Sequence, residues 1–279
     1  MTWRTLSRSV IGTRHERLLL PCQDASGDRQ LGDLLLGAIA DGAGSVPHSD
    51  VGATLAVQTA LDYLENLDGW LQPSDHPTWP TLQKPPSFAQ ARRLFERTVT
   101  KVRLALQQCA EHHYYNFEDL ACTLILFAAT PHWLVAMQIG DGFIVTRSRE
   151  ATFQLLFRPD KGEFINQTTF VTSAPAIAEM QVGVIAEPPQ FICAASDAFE
   201  RLALRFSDWT PHPPFFKPLE EYLLETPVPA EDDTYIINFL KSEYLNHHTD
   251  DDKTLLLSLQ TMERGIGTVP IRRMSAAEN

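Results

Sequence analysis

Four aspartates occupy one kind of position in this sequence, the point where an apolar run meets a polar turn. Asp41 closes the run LLLGAIA (34–40). Asp141 follows WLVAMQI (133–139) and a glycine, and Asp197 follows FICAA (191–195) and a serine. Asp251, with Asp252, stands just before LLLSL (255–259). Short apolar runs of this kind read as buried strands. In an antiparallel sheet the C-terminal ends of some strands lie beside the N-terminal ends of others, so three exits and one approach can meet at one edge. Carboxylates gathered in a cleft repel and raise one another's pKa unless a cation joins them. An all-oxygen set without a matching His or Cys group suits Mg²⁺ or Mn²⁺ and not zinc. Two such ions, about 3.5–4 Å apart, share a water, lower its pKa and clamp a phosphoryl group for in-line attack. A single aspartate at a strand end is usually a turn former or a helix cap. The recurrence of the placement, twice followed by glycine, is what points to a site; spacing alone does not establish that the four meet.

The surrounding elements follow from periodicity. From Gly52 to Leu67 the apolar residues fall at Ala53, Ala56, Val57, Ala60, Leu61, Leu64 and Leu67, a helical spacing, with Ser49 or Asp50 as its cap. Residues 68–87 are rich in Pro and Trp and read as an irregular insertion, after which helical spacing resumes over 88–109. The runs 122–129 and 133–139, separated by Thr130-Pro131-His132, continue at 143–146 as an expected meander of neighbouring antiparallel strands. A further strand is expected at 153–157. Weaker strand patterning lies near 168–172 and 181–185. Residues 198–206, 220–224 and 234–245 read as helices, with a proline-rich stretch at 208–218, and the tail 263–279 reads as mobile. Strands and helices do not alternate as βαβ units, so a mostly antiparallel α+β architecture is expected.

The chain has 279 residues, long enough for one large domain or two small ones, with 44% hydrophobic and 21% charged residues. Its formal net charge of -12 makes it a poor non-specific partner for nucleic acid or anionic membrane. Cys22, Cys109, Cys122 and Cys193 are scattered with no C-x-x-C pair, as expected of reduced thiols. No apolar run approaches a membrane span, and residues 1–9 lack a signal-peptide core, so a cytoplasmic protein is expected.

Taken in order, the motifs resemble those of the 2C-type, metal-dependent serine/threonine protein phosphatases. Ile11-Gly12-Thr13-Arg14-His15 with Pro21-Cys22-Gln23-Asp24-Ala25 resembles the family's first motif. Ile39-Ala40-Asp41-Gly42-Ala43-Gly44-Ser45, followed by Gly52-Ala53, resembles its central Asp-Gly motif. Ala121-Cys122-Thr123-Leu124 and Ile139-Gly140-Asp141-Gly142 resemble its paired middle strands, Ala195-Ser196-Asp197 its Ser-Asp-Gly element, and Asp251-Asp252-Lys253-Thr254 its closing element. The DGAGS form is similar to a bacterial branch. Each piece is weak alone; five in order, over most of the chain, are a strong signal. The resemblance implies a sandwich of two mostly antiparallel sheets flanked by pairs of antiparallel helices, one domain over 1–262, and a flap at 158–190 beside the cleft. It implies two ions, Mg²⁺ or Mn²⁺, with a weaker third. Asp41 would bridge two of them, Asp197 and Asp251 would complete the first shell, and the Gly42 carbonyl and Asp24 would serve the second ion. Asp141, with Asp197, would form the third site. Arg14 or His15 would meet the phosphate, His15 being as well placed for turn packing. The partners implied are phosphorylated proteins of a cognate kinase system, with the phosphatase a monomer.

Three positions depart from the family pattern: Gln23 replaces an acid, Ala43 a histidine found in some eukaryotic members, and Ala198 the glycine of Ser-Asp-Gly. With His at neither position 43 nor a neighbour, the leaving-group proton would come from water, His15 or His48. These departures motivate a second hypothesis, a pseudophosphatase that binds phosphoproteins or a kinase without turnover. Other chemistries are set aside. His112-His113 and His247-His248 lack further ligands and read as solvated helix ends. Gly42-Ala43-Gly44-Ser45 lacks the Lys-Ser/Thr of a P-loop. No cysteine has an arginine at the spacing of a cysteine phosphatase, and Asp41 lacks an Asp-x-Asp partner for a phospho-enzyme.

Overall fold

The computed structural model describes residues 2–66, 84–149, 152–159 and 168–261. Two five-stranded sheets form the centre, and a separate two-stranded pair joins β10 (Leu204–Arg205) to β11 (Thr210–Pro211). The first runs in the order β1 (Thr2–Val10), β12 (Lys253–Thr261), β9 (Pro189–Ala195), β6 (Phe143–Ser148) and β7 (Gln154–Leu155). The second runs β2 (Ala25–Leu31), β3 (Leu34–Ala40), β4 (Leu124–Ala129), β5 (Leu134–Ile139) and β8 (Gln181–Ile185). All strand pairs within the two sheets are antiparallel among the described residues.

The unbroken apolar runs have a simple cause: both faces of the central strands are covered. Along β4, Leu124, Leu126 and Ala128 face one cluster with the helices, while Ile125, Phe127 and Ala129 face the other sheet. Strand β12 divides likewise, Leu255, Leu257 and Leu259 outward and Leu256 inward. The inner layer, with Ile39, Phe127, Ile144, Ile192 and Leu256, joins the sheets. Helices α2 (Ser49–Glu65) and α3 (Phe88–His113) cover the second sheet. Helices α5 (Glu200–Ala203), α6 (Pro213–Glu225), α7 (Thr234–Leu240) and α8 (Glu243–His248) cover the first. Shorter helices are α1 (Thr13–Leu18) and α4 (Ala176–Glu179). No helix among the described residues is long and apolar enough to cross a membrane.

Several sequence expectations change. The meander breaks after β5: Gly140, at φ 102, turns the chain out of the second sheet, and β6 pairs with β9 in the first. Helix α2 starts at Ser49, so its N-cap is His48, which makes no side-chain cap; the His48 amide bonds to the Asp119 carbonyl at 3.2 Å instead. The proline-rich stretch hides the start of α6, because Pro213 and Pro214 occupy first-turn positions that need no N–H. The helix expected over 234–245 is two, split where the Ser242 side chain caps Leu245. The strand near 168–172 is a turn whose Val171 amide bonds to the Cys122 carbonyl at 2.8 Å. The insertion at 68–87 is described only from Lys84, and Ser87 closes a capping box with Gln90 at the start of α3. The flap is described at 158–159 and 168–190, and the tail 263–279 lies outside the described residues.

Candidate active site

Asp41 leaves β3 on a segment held from both sides. Its amide donates to Thr123 Oγ1 at 2.9 Å, and its carbonyl accepts the Thr123 amide at 2.8 Å. The Gly42 amide then bonds to the Gln23 carbonyl at 3.1 Å, and the Ala43 amide to the Ala121 carbonyl at 2.9 Å. Asp41 is thus presented by the segment leading into β4 on one flank and by the first motif on the other.

The first motif is in turn tied to the start of β12. Asp252, 3% exposed, accepts the Gly12 amide at 2.6 Å and the Gln23 amide at 2.5 Å. His15 Nδ1 lies 2.9 Å from the same carboxylate, off the line of a straight hydrogen bond. The chain packs so closely here that a Cβ on Gly12 would sit 2.2 Å from the Asp251 carbonyl carbon. Asp24, one residue past Gln23, is therefore delivered beside Asp41, and it is buried.

Asp251 enters next to it, its side chain accepting the Asp252 amide at 2.9 Å. Asp197 follows β9 as the first residue of a short 3-10 turn, Asp197–Phe199. Ala198 lies within that turn and is not among the residues with positive φ, so alanine meets no backbone restriction where the family has glycine. The preceding Ser196 exchanges two bonds of 3.1 Å with Thr254, which fixes the ends of β9 and β12 together. Asp141 accepts the Thr168 hydroxyl at 2.7 Å.

The electrostatics show that these ends converge. Removal from water pushes the Asp41 carboxyl well above its ordinary value, and repulsion from Asp24, Asp197, Asp251 and Asp141 adds to it. Burial likewise raises Asp24, against hydrogen bonding to Thr254 and with repulsion from Asp252 and Asp251, to about 7. Two buried acceptors, Asp24 Oδ2 and Gln23 Oε1, have no hydrogen-bond partner among the described residues. Two carboxyls whose charge is disfavoured chiefly by burial, Asp24 and Asp41, beside an unsatisfied neutral oxygen, are a donor set that suits a hard divalent cation. Among the described residues no three His, Cys, Asp or Glu side chains form a closed ion-holding group in these positions. At the mouth Asp41, Asp141, Asp197 and Asp251 are half-buried.

Of the two residues considered for phosphate contact, Arg14 is exposed, while His15 is 2% exposed and held on Asp252. His48 stacks on Tyr115 with ring centres 3.7 Å apart. The supporting roles of Asp252, Thr123 and Thr254 were not evident from the sequence. For Asp252 the available signal was its place immediately before a strand, where adjacent side chains point to opposite faces.

A sequence profile described as "Protein phosphatase 2C" matches residues 11–233, a span that ends before Asp251. The chain is 33% identical over 270 residues to "Serine/threonine-protein phosphatase 3" of Escherichia coli (strain K12), covering 93% of this chain and 99% of the relative. The crystal structure of serine/threonine phosphatase Stp1 from Staphylococcus aureus superposes with a TM-score of 0.62 at 10% identity, covering 94% of this chain and 96% of that one. That of RsbX in complex with magnesium gives 0.50 at 12% identity, covering 93% and 96%. At such identities the two structures speak for the fold.

Proposed function

The chain belongs to the protein phosphatase 2C family of serine/threonine protein phosphatases, and from that premise we propose that it hydrolyses phosphoserine and phosphothreonine with the aid of two Mg²⁺ or Mn²⁺ ions held by the aspartate mouth. The supporting observation is the repulsion that Asp24, Asp141, Asp197 and Asp251 exert together on Asp41. Asp41, the Gly42 carbonyl, Asp24, Asp197 and Asp251 would hold the two ions, and Asp141 with Asp197 a weaker third. Ions bound there would supply a water of lowered pKa and positive charge for the phosphoryl oxygens. RsbX, with the same fold, is known in complex with magnesium.

The remaining roles fall to the chain itself. Arg14, exposed within the first motif, orients the phosphate through its guanidinium fork. Asp252 and Thr123 hold the segments carrying Asp24 and Asp41 in place. With Ala43 apolar, His15 buried on Asp252 and His48 stacked on Tyr115, solvent protonates the leaving hydroxyl. The substrates are phosphoproteins of a kinase system in the cytoplasm, and residues 1–262 act as one domain, as a monomer.

Hydrolysis of p-nitrophenyl phosphate with Mn²⁺ tests the reading. Asp41→Asn and Asp197→Asn should each lose at least about a hundredfold in kcat, the scale of a displaced reacting group. Unchanged rates in both would overturn the assignment. A wild-type protein that takes up Mn²⁺ in calorimetry without turning over any phosphomonoester would turn it towards a binding role.

A further inference from the structure

A cleft of about 480 Å³ opens beside the aspartate mouth and shares Asp197 and Asp251 with it. Its other lining side chains include Arg201, Asn246, His247 and His248. Arg201 is exposed on α5 and makes no hydrogen bond or ion pair among the described residues. The two histidines are not idle ends of α8. His247 Nδ1 lies 2.6 Å from the Glu243 carbonyl and His248 Nδ1 lies 2.8 Å from that of Tyr244. A ring nitrogen facing a carbonyl oxygen must carry the proton, so each ring is oriented, and its Nε2 donates to a carboxylate in the imidazolium form, where both ring nitrogens carry protons. Apart from Asp197 and Asp251, the acids of the same cleft are Glu200 and Asp250. Glu200 is 7% exposed, and Asp250 lies 3.4 Å from the Arg17 guanidinium.

We propose that this cleft receives the stretch of substrate chain next to the phosphorylated residue, and that Arg201, assisted by His247 and His248, selects substrates with an acidic side chain there. The proposal rests on reading the mouth as the phosphatase centre. A phosphorylated side chain reaching Asp197 and Asp251 brings its neighbours, spaced about 3.3–3.6 Å per residue, over the surface that adjoins them. On a chain of net charge -12, an acidic segment is repelled unless a local cation receives it. An unpaired guanidinium matches a carboxylate in two-point geometry, and the same group disfavours a basic residue, which supplies discrimination from both sides.

Two series of phosphothreonine peptides, with Glu or Lys placed two or three residues to either side, test this in the full-length protein with Mn²⁺. On one side the Glu peptides should have a kcat/KM about five- to tenfold higher. Arg201→Glu should reverse that preference and leave p-nitrophenyl phosphate turnover unchanged, since that substrate has no flanking chain. His247→Ala and His248→Ala should each weaken the preference less. Equal rates for both series would overturn the proposal, as would an Arg201→Glu variant that lowers aryl phosphate and peptide turnover in the same proportion. If the wild type hydrolyses neither, the mechanism fails instead. Fluorescence anisotropy with the same peptides then decides the cleft, tighter binding of the Glu series supporting it and equal binding overturning it.

Discussion

The carboxylate of Asp252 accepts the backbone amide of Gln23 at 2.5 Å, joining residues 229 apart in sequence. This bond, with the one to Gly12, fastens the first motif to the start of β12 and so sets Asp24 beside Asp41. Asp252 thereby works behind the site, while its neighbour Asp251 faces the other carboxylates.

Removing that anchor should be costly in a way that separates its two bonds. Asp252→Ala strands two buried amides, and hydrogen bonds to a charged group contribute roughly 1.5–3 kcal/mol each. Urea denaturation should show a loss of about 3 kcal/mol or more. Asp252→Asn keeps one carbonyl oxygen and should recover about half. Equal losses in the two variants would mean that packing, not the pair of bonds, is what Asp252 supplies.

Gly12 makes a second test of the same junction. A Cβ there would meet the Asp251 carbonyl carbon at 2.2 Å and the Asp250 carbonyl oxygen at 2.5 Å, both backbone atoms with no side chain to yield. Gly12→Ala should cost about 1–3 kcal/mol of stability through overpacking. Because the strain falls on Asp251, phosphatase activity should fall about a hundredfold, out of proportion to the stability loss. A stable, fully active Gly12→Ala protein would show that the approach is looser than described.

How much of this could be read beforehand depended on burial. The runs in β3, β4, β9 and β12 stood out because both faces of those strands are covered, and the aspartates that leave them were therefore visible. Strand β1 buries only Trp3, Leu6 and Val10, and β2 buries none of its residues fully, so neither rose above its polar sequence. The passage of β6 into the other sheet turns on one backbone angle at Gly140, which no apolar pattern records. Of the adjacent pair Asp251-Asp252, composition cannot say which turns inward; the strand beginning at Lys253 decides it.

The Asp24 carboxyl carries a pH signature. Burial and neighbouring carboxylates raise it to about 7 from an ordinary value of 3.8. The folded protein holds this proton where the unfolded chain has lost it, so the contribution of Asp24 to stability is fullest below pH 3.8 and is lost as pH rises towards 7. Measured in EDTA, the stability difference between wild type and Asp24→Asn should therefore turn against the wild type across that window, by at most about 1.4 kcal/mol per pH unit. Above pH 7 the difference should level off. A difference that is flat with pH would mean that Asp24 is ionised throughout.

Divalent cations should reverse that penalty, since they favour the charged form of the very groups that burial disfavours. A ligand that binds only the folded state stabilises it by about 2.7 kcal/mol at a hundred times its Kd. In a chain of this size roughly 2–4 °C of melting temperature corresponds to each kcal/mol, so saturating Mn²⁺ should raise the midpoint by about 5–10 °C at pH 7.5. Asp41→Asn should lose most of the rise, and Asp197→Asn a large part, because both sit among the carboxylates an ion would join. At pH 5 protons compete for Asp24 and Asp41, and the same Mn²⁺ concentration should give a smaller shift. A rise of equal size in wild type and Asp41→Asn would place the stabilising ion elsewhere on this acidic surface.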